Sequence, residues 1–379
     1  MPSLCLAHSS TESSTHSYAT IPGFPGDFYL ELLMQWFDAH LDLAYLAENG
    51  RDMHAQLDDC RGRYQPASVT LPSLIEGGVR ACLGTVFTEA IDPTNADSES
   101  GAFTYPFEDA DAAYRAGMRQ LLLYRAWRDA GLIARMPLRG QPEDRSEAPI
   151  RLGVLVECAD PITSPDELEQ WVDLGVVAIG MAWWHQSRYA GGNGTDHHKP
   201  GNGLTDLGRE LVKRMDELGV VHDLSHLSQR AVDDLLEATD TPVMASHSNC
   251  RALMGDPDSK PNQRHLSDET IKEITSRGGV IGLNLLGDFV TPGLKKGERA
   301  KISDCVRHIE HICEVAGSRN HIGLGSDMDG GFGADGLPEG INTPSDLTRI
   351  TDALSERAWS DEDIAAFTHA NWERFWRGE

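Results

Sequence analysis

Short runs rich in Val, Ile, Leu and Ala alternate along this chain with longer amphipathic stretches. The apolar runs are 36–43 (WFDAHLDL), 79–88 (VRACLGTVFT), 151–157 (RLGVLVE), 176–183 (VVAIGMAW), 219–226 (GVVHDLSH), 242–247 (PVMASH), 278–286 (GGVIGLNLL) and 321–327 (HIGLGSD). Strands apolar on both faces belong to parallel sheets covered by helices on both sides. Eight of them alternating with helices predict an α/β chain folded as a closed (β/α)8 TIM-like barrel of the metal-dependent hydrolase type. A doubly wound open sheet is the competing arrangement, but no G-x-G-x-x-G follows the first run. Helix starts are written as cap residues followed by acids: Ser164-Pro165-Asp166-Glu167, Ser267-Asp268-Glu269 and Ser360-Asp361-Glu362-Asp363. Insertions at 89–107 and 185–203 read as loops over one end of the barrel, and 344–379 as two closing helices. Residues 1–33, rich in Ser and Thr with Pro and Gly, read as a flexible N-terminal extension to a single domain at 34–379, with Met34 an alternative start.

Composition narrows the partners. The 379 residues are 40% hydrophobic, enough for a sizeable core, and 59 acids against 33 bases leave a net charge of −26. Such a charge repels phosphate backbones and anionic bilayers, so neither nucleic acid nor membrane is expected as a partner. The acids are spread along the chain, as on a solvated surface. Seven cysteines (5, 60, 82, 158, 250, 305 and 313) form no CxxC pair, which fits a reducing cytoplasm better than a disulfide framework. The first residues lack a basic, then apolar, leader pattern. No run is long enough to span a bilayer, and the polar end NWERFWRGE is no lipid-anchor tail. A cytoplasmic location is therefore expected, and the sequence is compatible with a homodimer.

The candidate chemistry lies where the apolar runs stop. In FDAHLD, alternation along a strand would turn His40 and Asp42 to one face. Later runs end in Glu157, His226, His247 and Asp327. Barrels of this type place their chemistry at the C-terminal rim, where these side chains would converge. Singly, each has an ordinary explanation. His226 would be a hydrogen-bonded core histidine, His247 a helix cap, Glu157 a partner of Arg264, and Asp327 a turn residue beside Asp329. Jointly, several buried ionisable groups without a common partner would be costly, and a divalent cation supplies that partner. The set exceeds the four ligands of one tetrahedral zinc. Two metals bridged by a carboxylate, with Glu157 the best bridge, are a natural division. The nitrogen and oxygen donors suit zinc and are compatible with manganese or cobalt.

Taken in order, FDAHLD, VEC, DLSH, ASHSNCRAL, RHLSDE and GLGSDMDG resemble the renal (membrane) dipeptidase family of the amidohydrolase superfamily, in its bacterial-type subgroup, from Trp36 to the C-terminus. The resemblance implies a barrel with two Zn2+ that hydrolyses dipeptides, often with a D-residue at the C-terminal position, through a metal-bridged hydroxide. By position, His40 and Asp42 would hold one zinc and His226 and His247 the other, with Glu157 between them. Asp327 would handle the proton and Arg264 would receive the substrate carboxylate. The chain departs from the family at two strand ends. Where the family's strand 4 carries a substrate-contacting histidine, this chain has Met181-Ala182-Trp183-Trp184, so Trp183 or His185 is expected to stand in. Strand 7 ends Asn284-Leu285-Leu286 in place of asparagine-phenylalanine-tyrosine. An N-acyl-amino-acid deacylase remains an alternative, because it too needs a carboxylate-binding arginine. A barrel that binds metal or peptide without turnover is the remaining one. The absence of lysine from 176–184 disfavours relatives that bridge their metals with a carbamylated lysine. His197 and His198, adjacent in the 185–203 loop, are expected to be solvated.

Overall fold

The computed structural model describes residues 34–91, 101–143, 148–195, 201–255 and 262–379. The segment 1–33, read above as an extension, and the histidines 197 and 198 lie outside the described residues. Eight parallel strands form the barrel: β1 (Trp36–Leu41), β2 (Val79–Val86), β3 (Arg151–Val156), β4 (Val176–Gly180), β5 (Val221–Asp223), β6 (Val243–Met244), β7 (Ile281–Leu283) and β8 (Ile322–Leu324). Their order is β7-β8-β1-β2-β3-β4-β5-β6. Between β6 and β7 a parallel bridge from Ala245 to Ile281 closes the ring. There Ala245 N donates to Val280 O (3.1 Å) and Gly282 N to Ala245 O (2.8 Å).

The strands are shorter than the apolar runs, and they stop early at the end that carries the polar residues. β5 ends at Asp223 and β8 at Leu324, three residues short of His226 and Asp327. β1 shifts register against β2 between Asp38 and Leu41 and then ends, so Asp42 starts the helix Leu43–Glu48. His40 and Asp42 therefore do not share a face by strand alternation. The turn into the helix is what brings them together. The 89–107 insertion is not wholly loop either, since its ends, Glu89–Ile91 and Thr104–Pro106, pair as a small parallel sheet.

The caps behave as their chemistry dictates. Ser267 accepts from Thr270 N, and Ser360 forms a reciprocal box with Asp363. The closing helices are Thr348–Ser355 and a second one from Asp361 to Arg377 with a wide turn at Ala366–Ala370. That second helix plugs the N-terminal mouth of the barrel. Its Trp372 stacks on Phe37 at 5.7 Å and donates Nε1–H to Leu324 O at 3.0 Å. Around it pack Ala39, Leu83, Leu155, Val177 and Met244. At about 25 cal/mol per Å2, burying an indole of roughly 200 Å2 contributes ~5 kcal/mol. One mouth is thus sealed by apolar contacts and polar side chains gather at the other. Among the described residues, no helix is long and apolar enough to cross a membrane.

Candidate metal centre

All six strand-end residues meet at the C-terminal mouth. Glu157 follows β3 directly and is held by its own N–H to Val86 O (3.1 Å). Its Oε1 lies 3.2 Å from His226 Nε2, and 3.6 Å from both His40 Nε2 and His247 Nε2. His40 Nε2 is also 3.8 Å from Asp42 Oδ1 and 3.9 Å from Asp327 Oδ1. The rings of His40 and His247 stack at 3.5 Å, and the Nε2 atoms of His226 and His247 are 2.9 Å apart. Two donor triplets follow, each compact enough for one ion: His40, Asp42 and Glu157, and Glu157, His226 and His247. They share Glu157. Asp327 joins His40 and His247 in a third triplet across both.

The backbone strains to achieve this. His226 and Asp327 have φ of 68° and 59°, the left-handed region that costs L-residues roughly 1–3 kcal/mol. Both are overdetermined by their neighbours. Asp327 N donates to His40 O (3.2 Å), and the His226 carbonyl accepts from Asn193 N (2.8 Å).

Burial sets the protonation. The three histidines are pushed well below their ordinary pKa by desolvation and by the Arg264 charge, with neighbouring imidazoles adding to it for His226 and His247. They are neutral, with a lone pair to offer. Burial pushes Asp42 up to about 6, against a hydrogen bond from Thr85 Oγ1. Glu157 and Asp327 are raised well above the carboxylate range by burial and then by the Asp42 charge. Among the described residues His40 Nε2 is buried without any hydrogen-bond partner. Three neutral imidazoles and three carboxylates in a dry pocket lack positive charge at their centre. Divalent cations fit that deficit, and the nitrogen and oxygen donors suit zinc.

A surrounding layer holds these groups, and sequence reading missed it. The far nitrogens of His40 and His247 face one hydroxyl, Ser246 Oγ, at 3.3 and 2.8 Å. His226 Nδ1 faces Asn193 Oδ1 at 3.2 Å. Asn284 Nδ2 donates to Asp327 Oδ2 (2.9 Å), which leaves Oδ1 toward the cluster. Asp329, two residues on, serves elsewhere: it takes Arg51 and the Ser68 and Val69 N–H groups and anchors the 51–69 loop. A signal was present in the sequence, since Ser-His at 246–247 and Ser-Asp at 326–327 repeat a serine just before a cluster residue.

Arg264 is 4% exposed and makes no ion pair with Glu157. Its guanidinium donates to His247 O (2.8 Å) and Ser248 Oγ (3.1 Å) and lies over Phe289, while Nε has no partner among the described residues. Burial lowers its pKa to about 10, with Asp327 and Glu157 opposing. It remains a cation beside the cluster with donors to spare. Trp183 is half-buried, 5.8 Å from the His226 ring and packed edge-on against Phe87 at 5.1 Å, so it walls the cluster. His185 is half-buried, and no polar contact joins it to the cluster among the described residues. Its loop is tied down by Arg188, whose N–H donates to Asp160 Oδ1 (2.8 Å) and whose side chain donates to Ile162 O (3.1 Å).

Known proteins resemble this chain in sequence and in fold. A stretch of 221 residues is 33% identical to an uncharacterized dipeptidase of Schizosaccharomyces pombe, covering 57% of this chain and 49% of that protein. A second uncharacterized dipeptidase of the same yeast matches at 31% over 214 residues, again 49% of its length. The chain thus spans about half the length of these curated relatives. Among solved structures, a metallo peptidase from Rhodobacter sphaeroides, liganded with a phosphinate mimic of the dipeptide L-Ala-D-Ala, superposes with a TM-score of 0.72 at 23% identity, over 91% of this chain and 100% of that one. The probable dipeptidase PvdM from Pseudomonas aeruginosa gives 0.72 at 20% identity, over 92% and 96%. These two likenesses establish the barrel. The model of the membrane dipeptidase family matches residues 30–379, and with nearly the whole chain matched, this protein belongs to that family, peptidase family M19.

Proposed function

We propose that this chain is a zinc-dependent dipeptidase whose two cations are held by His40, Asp42 and Glu157 on one side and Glu157, His226 and His247 on the other. The observation that carries the reading is the pair of donor triplets sharing one carboxylate, with a buried, partly unpartnered arginine at their edge. Bound divalent cations supply Lewis acidity, which lowers the pKa of water and polarises a carbonyl oxygen. The protein's own groups do the rest. Asp327 Oδ1 faces the cluster while Asn284 pins Oδ2. With Oδ1 at the edge of the cluster, it is placed to take a proton from the attacking water and return it to the leaving amine. Arg264 holds the free carboxylate of a short substrate through its unused donors, which favours dipeptides over longer chains. Trp183 forms the wall against which the substrate lies. The mimic of L-Ala-D-Ala bound by the Rhodobacter relative supports acceptance of a D-residue at the C-terminal position. The free state of every cysteine among the described residues supports a cytoplasmic location.

A panel of L,L and L,D dipeptides and N-acyl amino acids, assayed with zinc, manganese and cobalt, tests the reading. Dipeptide hydrolysis is expected, and Asp327→Ala should keep its metal while losing roughly 100- to 10,000-fold in kcat. No hydrolysis of any dipeptide by fully loaded protein would overturn it.

A further inference from the structure

The geometry points to Asp223 and Ser246 as a shared relay that holds both His40 and His247 in the Nδ1–H tautomer, so that one hydroxyl prepares a ligand on each side of the centre. This inference rests on the two-cation reading and deepens it.

Hydrogen-bond bookkeeping fixes the direction. A serine hydroxyl has one hydrogen to give and two lone pairs to accept with. Ser246 Oγ lies 2.6 Å from Asp223 Oδ2, an acceptor, so its hydrogen goes there. Asp223 Oδ1 is already occupied by Ser246 N (2.8 Å) and Ser225 N (3.0 Å), which locks the carboxylate in place. The lone pairs of Ser246 Oγ then face His247 Nδ1 at 2.8 Å and His40 Nδ1 at 3.3 Å. With its hydrogen committed, the hydroxyl can only accept, so each imidazole carries its proton on Nδ1. Each Nε2 is left with a lone pair aimed toward Glu157 Oε1, 3.6 Å away in both cases. Ser246, Asp223, His40 and His247 are all buried to within 1% of complete, so water does not rewrite this pattern.

The same clasp occurs a second time without an imidazole at its end. Asp38 Oδ1 accepts from Ser326 N (2.8 Å) and His40 N (3.2 Å), and Oδ2 accepts from Ser326 Oγ. Both clasps tie adjacent strands together, but only the Asp223–Ser246 one reaches imidazole nitrogens. That difference separates a structural role from a tautomer-setting one.

In Asp223→Asn the amide oxygen must stay on the two backbone N–H groups, so the new NH2 faces Ser246 Oγ. The hydroxyl hydrogen is then released toward an imidazole Nδ1, which selects the wrong tautomer and puts a proton on one Nε2. Ser246→Ala only removes the acceptor. The test uses the full-length protein loaded with cobalt, followed by proton NMR and by chelator competition, with circular dichroism to confirm folding. Wild type should show hyperfine-shifted Nδ1–H resonances that vanish in D2O. Ser246→Ala should shift these resonances, speed their exchange and weaken metal binding by about 10-fold, and Asp223→Asn should remove one and approach 100-fold. Asp38→Asn should alter thermal stability and leave the resonances in place. Cobalt-loaded wild type and Ser246→Ala with the same resonances and the same affinity would overturn the relay while leaving the metal centre intact. A wild type that takes up no cobalt or zinc would instead overturn the two-cation reading beneath it.

Discussion

Arg264 offers the sharpest test of substrate choice, because its role can be separated from its structural contacts. The guanidinium is buried, uses donors on His247 O and Ser248 Oγ, and among the described residues keeps Nε unpartnered. A substrate carboxylate arriving there gains parallel charge-assisted hydrogen bonds in a dry site. Losing one partner of such a pair costs about 2–5 kcal/mol, so a middle value of ~3 kcal/mol corresponds to on the order of 100-fold in kcat/KM. The perturbation is applied from both sides: a dipeptide against its C-terminal amide, and wild type against Arg264→Met. Wild type should prefer the acid by about 100-fold, and in Arg264→Met that preference should collapse to within a few-fold. Arg264→Met also frees Ser248 and the His247 carbonyl, but that damage falls on both substrates alike and cancels in the cycle. If wild type cleaves the amide as well as the acid, or if the variant slows both substrates equally and keeps the preference, Arg264 does not bind the carboxylate.

Three further outcomes follow from the same geometry. Glu157→Gln removes the negative charge that all three histidines face and replaces one of its two oxygens by an NH2 that cannot ligate, and metal analysis should find less than the wild-type content, with turnover lost. Metal affinity should fall on acidification. Bound cations require deprotonated ligands, and burial raises both Glu157 and Asp42, the latter to about 6, so proton competition is established by the time the pH has dropped through about 6. Each proton taken up weakens binding by about tenfold per pH unit there, and a flat chelator-competition profile between pH 7 and 5 would refute this. Gly323→Ala places a Cβ 2.3 Å from Trp372 Nε1, which is fixed by its bond to Leu324 O. Denaturant unfolding should show a loss of about 1–3 kcal/mol with metal content unchanged.

The barrel was legible because its strands are buried on both faces and so read as uninterrupted apolar runs. The six cluster residues were legible for the complementary reason: each interrupts such a run at the same end. The strand boundaries were less so. Residues 224–226 and 325–327 lie inside the runs read as strands, while the backbone there turns into left-handed geometry at His226 and Asp327 to aim those side chains inward. Asp and His tolerate positive φ better than most residues, so a turn at Asp327 could be read from GLGSD, but nothing in the sequence says that the turn aims the side chain at the cluster. The holding layer was hidden by ordinariness. Ser246, Asn193 and Asn284 are common polar residues, and only the fold shows that one hydroxyl sits between two imidazoles brought together from β1 and the end of β6.

Asn284 bears on what the changed strand 7 means for catalysis. The run Asn284-Leu285-Leu286 differs from the expected asparagine-phenylalanine-tyrosine in its last two positions and keeps the first. The retained residue carries the polar contacts. Its Nδ2 donates to Asp327 Oδ2, its Oδ1 accepts from Leu286 N (2.7 Å), and its backbone N–H and carbonyl are both gripped by the side chain of Asn249. Leu285, by contrast, is fully buried in the apolar core. Leucine at 286, the tyrosine position, therefore lacks a hydroxyl without loosening the group that aims Asp327, so substrate preference would change while the proposed proton-handling geometry stays fixed. On that argument Asn284→Leu should lower kcat and leave the preference between dipeptides nearly untouched, because the side chain it removes reaches only Asp327 and the Leu286 N–H, while the backbone stays gripped by Asn249.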